Sequence, residues 1–518
     1  MEQLSALDAS FLYLENERVS NHIGGLYIYD QSTVPGGKLR FRQILTYLAA
    51  RIHRAPRYRQ KIANVPLNLD HPYWVDDDRF DLEYHVRHVA LPQPGDWRQL
   101  CILASRIYDR PLDMNRPLWS MHVVEGLDNV EGLPPGSFAI ITKLHHAAID
   151  GVSSVAMNTA LHETEPGLRQ GDPEPWNPSR PPNEMELLGR AYMNNLAQPM
   201  KFMQVMAESV PASTRLLASL GEDALKVQST AGDIPKTRFN REISGHRTVN
   251  GISVDLEDIR TIKNAVRGAT VNDAVIAITG GALRRYLDAK KELPEDQSLV
   301  TLSPVSVRSG PADARDGGNE VAGMLASLGT NIADPLARLE AVRNSTANSK
   351  ELTNAIGARL MTDFSQFIPS ATTGMAARLF SQMGVATQLQ PTFNTVVTNV
   401  PGPQQPLYFC GAELVNQYGL GIVQDAQALF HTVLSYNGKV TITAMSDREV
   451  MPDPEFYISC LREAFMELKD AAAPPRKPAP ARAPRKPAAK AAPKRTTAKK
   501  PATRRRRKTP PPSAPAAE

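Results

Sequence analysis

SFAIITKLHH at 137–146 constrains the fold more than any other stretch of the chain. The run IITKL is apolar enough for a strand buried in a sheet. It ends on two adjacent histidines, His145 and His146, followed by AAIDG. A polar pair at the end of a buried strand lies at the edge of the core and faces whatever cleft the fold leaves there. Adjacent residues of an extended segment point to opposite sides. One histidine therefore faces the cleft while the other packs or hydrogen-bonds inward. GVSSVAMNTALHE at 151–163 reads as a helix, so the pair sits where a strand gives way to a helix. Asp150 begins that transition, and Gly151 permits a tight backbone turn.

Taking a proton from a nucleophile such as a hydroxyl needs a base that titrates near neutrality, and histidine is suited to it. The plainer alternative for HHAAIDG is a core histidine pair with Asp150 capping the next helix. Zinc is a poor fit because no third ligand lies nearby at suitable spacing. No G-x-S-x-G elbow offers a serine nucleophile, and no Walker A sequence indicates ATP use.

Around this segment the pattern is mixed α/β. Strands are expected at 23–30, 118–127, 137–146, 297–308 and 393–402. Helices are expected at 37–62, 97–113, 184–225, 334–362 and 452–472. FDLEYHVRHVAL at 80–91 reads as extended, and ARDGGNEVAGMLASLG at 314–329 as a Gly-rich turn and strand. Residues 249–287 read as strand, helix, turn and long helix, with Thr270 capping the last. The stretch 428–447 reads as a hairpin turning at Asn437 and Gly438. The methionines within 184–225 suit either a helical linker packed on its neighbours or an adaptable lipid-facing surface. The boundaries implied are 1–165, a loop and helical linker at 166–245, a second unit at 246–470, and a tail at 471–518.

Charge separates the tail from the rest. Residues 471–518 hold fifteen Lys or Arg and one acid, so they carry +14. The remainder holds 44 basic and 53 acidic residues and carries −9. A segment of Ala, Pro, Lys and Arg cannot bury a core and is expected to be disordered. It suits polyanions, either anionic lipid or nucleic acid. Cys101, Cys410 and Cys460 form no framework of disulfides. MEQLSALDASFLYLENE lacks the basic start of a signal peptide. No apolar run approaches the ~20 residues that cross a bilayer. These features suggest a cytoplasmic protein in peripheral contact with the inner face of the membrane or with lipid droplets.

HHAAIDG is similar to the HHxxxDG motif of the CoA-dependent acyltransferase superfamily, which includes chloramphenicol acetyltransferases and peptide-synthetase condensation domains. More narrowly, the chain resembles bacterial wax ester synthase/diacylglycerol acyltransferases. That resemblance rests on LSALDASFLYLE at 4–15, NHIGGLYIYD at 21–30, RPLW at 116–119, TVNDAVIAITGGALRRYL at 270–287, SPVSVR at 303–308 and TNVPGP at 398–403. It spans about residues 1–470 and leaves out the tail. One departure is Leu-Gly at 328–329, where the family usually has Leu-Pro.

The resemblance implies two chloramphenicol acetyltransferase-like α/β domains with a tunnel between them. Acyl-CoA is the implied co-substrate, with no tightly bound cofactor and no metal. The implied acceptor is diacylglycerol or a long-chain fatty alcohol. His146 is implied as the general base, with His145 supporting its geometry. Asp150 is implied as structural, with Arg308 as its nominated partner. Asn272, Ser306 and Thr398 are candidate oxyanion donors. Asp273 and Asn399 belong to the same substrate-binding or supporting set. Pro117, Leu118 and Trp119 suit either an acyl-pocket wall or, for Trp119, ordinary core. Two other readings share these motifs: a same-class transferase with a different hydroxyl acceptor, and a non-catalytic lipid-droplet or nucleoid tether.

Overall fold

Two six-stranded sheets and one three-stranded sheet organise the residues that the computed structural model describes: 1–148, 160–167, 171–196, 234–306, 321–356 and 390–473. In chain order the strands are β1 (Glu2–Gln3), β2 (His22–Asp30), β3 (Gln60–Ala63), β4 (Tyr73–Asp76), β5 (Val86–Ala90), β6 (Trp119–Glu125), β7 (Phe138–His145), β8 (Arg247–Asp255), β9 (Val300–Ser306), β10 (Val321–Ser327), β11 (Thr395–Pro401), β12 (Tyr408–Phe409), β13 (Ala412–Leu420), β14 (Leu429–Tyr436) and β15 (Lys439–Asp447). The principal helices are α1 (Ala6–Tyr13), α2 (Phe41–Ala49), α3 (Trp97–Tyr108), α4 (Leu256–Asn264), α5 (Val271–Ala289), α6 (Pro335–Ile356) and α7 (Pro454–Ala472). Met1–Ala473 pack as one unit, and residues 474–518 lie outside the described residues.

The first large sheet runs β12-β13-β2-β7-β6-β5. All eight residues of β7 are buried, because it is flanked by β2 and β6 and covered on both faces. That burial is what its unbroken apolar run demands. The second sheet runs β10-β9-β11-β14-β15-β8. Its β11 pairs in parallel with both β9 and β14, which needs crossovers rather than hairpins. β14 and β15 do form a hairpin. Asn437 and Gly438 at its tip both take positive φ, 43° and 78°, the pair of values that matches strand twist in a two-residue turn.

α5 is buried almost all round, so it is a core helix rather than a surface one. Thr270 is its N-cap: its hydroxyl accepts the Asp273 N–H, and the Asp273 carboxylate accepts the Thr270 N–H in return. α5 packs against α6, α7 and α4.

The structure departs from the sequence reading most clearly in three places. The helix expected over 37–62 stops at Ala49 and gives way to two 3-10 turns and β3. Pro56 excludes Ala55 from the helical region, and Ala55 is extended at φ −135°, ψ 102°. The apolar spacing persists because those turns still bury Ile52 and Tyr58. Within 80–91, Asp81 accepts the Glu83 N–H and starts a single helical turn, Leu82–His85, before β5.

The third departure is topological. β12 and β13 follow the second half's strands in the chain but extend the first sheet, with β13 antiparallel to β2. β13 also packs against β14 and β15, so the two large sheets meet along it. At the Leu-Gly position, Gly329 takes φ +63°, with the Arg338 side chain 2.7 Å from where a Cβ would stand. Proline, locked near φ ~−65°, cannot adopt that conformation. The Leu-Gly departure from the family pattern therefore accompanies a left-handed turn.

Candidate active site around the paired histidines

His145 is the last residue of β7 and is fully buried. Its backbone N–H donates to the Leu118 carbonyl at 3.0 Å. Its Nδ1 accepts the Ala147 N–H at 3.0 Å. A ring nitrogen that accepts carries no proton, so that bond puts the proton of the neutral ring on Nε2. Nε2 lies 3.1 Å from Glu15 Oε1. His146 opens a short 3-10 turn, His146–Ala148, and is only partly buried. Its N–H donates to the Asn21 carbonyl at 2.8 Å, and its ring stacks on Phe11 with centroids 4.1 Å apart.

The N-terminal segment therefore clamps the motif. α1 supplies Phe11, the chain leaving α1 supplies Glu15, the residue just before β2 is Asn21, and β2 begins with His22. Asn21 donates its N–H to Glu15 Oε1 at 2.7 Å and its amide to the Phe11 carbonyl at 2.7 Å. His22 pairs with His145 in the β2–β7 register and meets it edge-on. Burial, aided by Lys143 and His145, holds the His22 pKa well below the usual histidine value, so His22 is neutral. Lys143, two residues before His145 and on the same side of β7, is also buried. Its ammonium donates to the Ile107 and Arg110 carbonyls at 2.8 and 2.6 Å, and desolvation lowers its pKa to about 8. Phe11, Glu15, Asn21 and His22 were not singled out by chemistry in the sequence. The only signal was that two segments containing them, 4–15 and 21–30, resemble a family's opening.

Pro117, Leu118 and Trp119 are all buried. Leu118 packs with Leu4, Ala9, Tyr13, Trp74 and Ala147, so it supports both the clamp and the turn. Trp119 donates its indole N–H to the Tyr58 carbonyl at 2.9 Å and stacks on His85 at 4.5 Å. Asp150, Gly151 and Arg308 lie outside the described residues.

The candidates from the second half gather elsewhere. Gly268, Thr270, Asn272 and Asp273 at the start of α5, Ser303, Pro304, Met324 and Asn399 on the sheet, and Arg343, Thr346 and Lys350 on α6 line a cavity of about 330 Å³. Gly268, at φ +82°, lets the Arg343 guanidinium approach to 3.1 Å of where a Cβ would stand. Asp273 is 3% exposed with both carboxylate oxygens engaged: Oδ2 by the Thr270 N–H and O–H, Oδ1 by the Thr346 hydroxyl at 2.7 Å. Asn272 and Asn399 sit on the cavity wall. Thr398, next to Asn399 on β11, donates to the His431 carbonyl at 3.4 Å. Ser306 ends β9, opposite Val321. Asn272, Asp273 and Asn399 are thus brought together, while the histidine turn is built on the other sheet.

Residues 4–275 match the model of the wax ester synthase/diacylglycerol acyltransferase catalytic domain, and residues 317–469 match the WS/DGAT C-terminal domain. A putative diacylglycerol O-acyltransferase of Mycobacterium tuberculosis is 32% identical over 472 residues, covering 91% of each chain. The O-acyltransferase WSD of Acinetobacter baylyi is 30% identical, covering 89% of this chain and 96% of that protein. Among solved structures, the wax ester synthase/diacylglycerol acyltransferase from Marinobacter aquaeolei VT8 superposes with a TM-score of 0.63 at 28% identity, over 91% of this chain and 99% of that one. The first condensation domain of the calcium-dependent antibiotic synthetase shares the fold, with a TM-score of 0.55 at 13% identity over 92% of this chain and 97% of that one. With its two characteristic domains matched in order across nearly all of Met1–Ala473, the chain belongs to the wax ester synthase/diacylglycerol acyltransferase family.

Proposed function

We propose that this chain moves a long-chain acyl group from acyl-CoA to the hydroxyl of diacylglycerol or of a long-chain fatty alcohol, with His146 as general base. The observation that carries the reading is the contrast between the two histidines. His145 is sealed in the core with one ring nitrogen accepting a backbone N–H, whereas His146 stands off the strand end, partly exposed, on a turn held at both sides. Neutral His146 takes the proton of the acceptor hydroxyl as that oxygen attacks the thioester carbonyl. The tetrahedral intermediate collapses with cleavage of the carbon–sulfur bond, and protonated His146 returns the proton to the CoA thiolate. No covalent acyl-enzyme is required.

The donor carries phosphates, and the body of the protein carries −9, so a local cationic site is needed to receive it. Arg343 and Lys350 on the wall of the 330 Å³ cavity suit that task. The acceptor is a lipid, and the +14 tail suits an anionic surface at about 1 kcal/mol per basic residue close to it. Among the described residues no helix is long and apolar enough to cross a membrane.

The test follows CoA release from palmitoyl-CoA with 1-hexadecanol or a diacylglycerol as acceptor, for wild type and His146→Ala in parallel. Turnover that needs both an acceptor and His146 is expected, and the preferred acceptor identifies the product class. Acceptor-dependent turnover that survives in His146→Ala would overturn the assignment of the base.

A further inference from the structure

The two peptide N–H groups on either side of the His146 Cα are both held, and both holders converge on one carboxylate oxygen. The His146 N–H goes to the Asn21 carbonyl, and the Asn21 N–H goes to Glu15 Oε1 at 2.7 Å. The Ala147 N–H goes to His145 Nδ1, and His145 Nε2 faces the same Glu15 Oε1 at 3.1 Å. His22 Nε2 approaches that oxygen to 4.0 Å. From this convergence we propose that Glu15 is the positioning residue of the active site: it selects the His145 tautomer and holds the turn that carries His146.

The chemistry follows from donor and acceptor roles. A neutral imidazole has one protonated nitrogen and one bare nitrogen. Were the proton on Nδ1, the Ala147 N–H would face another N–H and the 3-10 turn would lose its anchor inside the core. A carboxylate beside Nε2 favours the Nε2–H form and so keeps Nδ1 free to accept. The Glu15 contact lies off the ring N–H axis, since Nε2 makes no hydrogen bond of good geometry among the described residues despite the short distance. Charge, more than a directional bond, couples the two. Glu15 is 18% exposed and His145 is fully buried, so water screens the pair weakly.

Glu15 does not touch the reacting atoms on this account. It acts through Asn21 and His145 on the position of His146. Displacing a catalytic group by about 1 Å costs on the order of a hundredfold in rate. A loss of that kind falls on kcat, because the acyl-CoA and acceptor sites are untouched.

The inference rests on His146 as the base, and the experiment separates the two. Glu15→Gln, Glu15→Asp and His146→Ala are assayed for kcat and KM beside wild type, each checked by thermal melting. His145 is also observed directly in protein carrying 15N-histidine, its signals assigned by their loss in His145→Gln. Glu15→Gln, which keeps shape but removes charge, is expected to lower kcat about ten- to hundredfold with KM changed less than about twofold. It is also expected to move His145 away from the pure Nε2–H tautomer. Glu15→Asp, which restores charge at shorter reach, is expected to recover part of the kcat and the tautomer, and it carries the test should the Gln variant not fold. A wild-type kcat and tautomer in Glu15→Gln, beside an inactive His146→Ala, would overturn the role of Glu15 alone. An active His146→Ala would overturn the base, and the tautomer signals would then still decide whether Glu15 sets the geometry.

Discussion

Asp273 is placed by resemblance in a substrate-binding or supporting set, its contacts favour the supporting part, and Asp273→Ala measures it. Its carboxylate accepts three hydrogen bonds: the Thr270 N–H at 2.7 Å, the Thr270 hydroxyl at 2.8 Å and the Thr346 hydroxyl at 2.7 Å. Hydrogen bonds to a charged group contribute about 1.5–3 kcal/mol each, but removing the buried charge returns part of that. Thr346 also has the Arg343 carbonyl within 3.1 Å, so its hydroxyl is not stranded. Half of the capping box survives as well, because the backbone N–H at 273 still reaches the Thr270 hydroxyl. A net loss of about 2–4 kcal/mol follows. Unfolding entropy of about 2.1 cal/mol/K per residue, taken over Met1–Ala473, makes 1 kcal/mol about one degree, so Tm should fall by about 2–4 °C. Asp273→Asn keeps an acceptor towards Thr270 and turns its amide towards Thr346, which can redirect its proton to Arg343; that change should cost about 1 kcal/mol. Scanning calorimetry and CoA release measured well below Tm are the assays. Both variants should keep kcat within about threefold of wild type. A hundredfold loss of kcat with Tm unmoved would refute the argument and place the carboxylate on the substrate.

Trp119→Phe removes the bond to the Tyr58 carbonyl and part of the stack on His85, and should lower stability by about 1–3 kcal/mol while leaving acyl-chain preference unchanged; a shifted chain-length profile would make Trp119 a wall of the acyl pocket. Arg343→Ala and Lys350→Ala should each raise KM for acyl-CoA by about five- to thirtyfold, less at high salt, with kcat retained, and an unchanged KM would remove the cavity from the donor's path. Burial depresses the pKa of His431 to about 3 and of His122 to about 4. The unfolded chain therefore takes up these protons first, so stability is full above about pH 6.5 and falls as pH drops towards the folded values. At pH 5.5 each histidine should cost about 1.4 kcal/mol relative to pH 7.5; urea unfolding should show the drop, His431→Gln should flatten it, and a wild-type midpoint that does not move between the two pH values would refute it.

Much of the fold was readable because local rules dominate where they are strong. The apolar run into His145, the Asn437–Gly438 turn and the Thr270 cap each leave a pattern within ten residues or fewer. The reading failed where two signals conflicted. Between 37 and 62 the spacing of apolar residues continued through Pro56, but the backbone did not. At the site, the histidine pair stood out because two imidazoles end a buried strand. Glu15 did not, because an acid just after a short helix has no local mark of function.

The sequence by itself determined that a buried strand ends at the paired histidines of HHAAIDG, that the last 48 residues differ in kind from the rest, and which segments resemble the acyltransferase family. Only the tertiary structure decided what surrounds the histidines. Pairing β2 against β7 brings residue 22 beside residue 145, and the clamp of Phe11, Glu15 and Asn21 follows from that register. The same is true of β13, which leaves its neighbours in the chain to extend the first sheet, because β2 presents an open edge that only a distant strand satisfies. Contacts between residues more than a hundred positions apart depend on which edges and faces remain to be covered once every element has formed, and no local pattern records that.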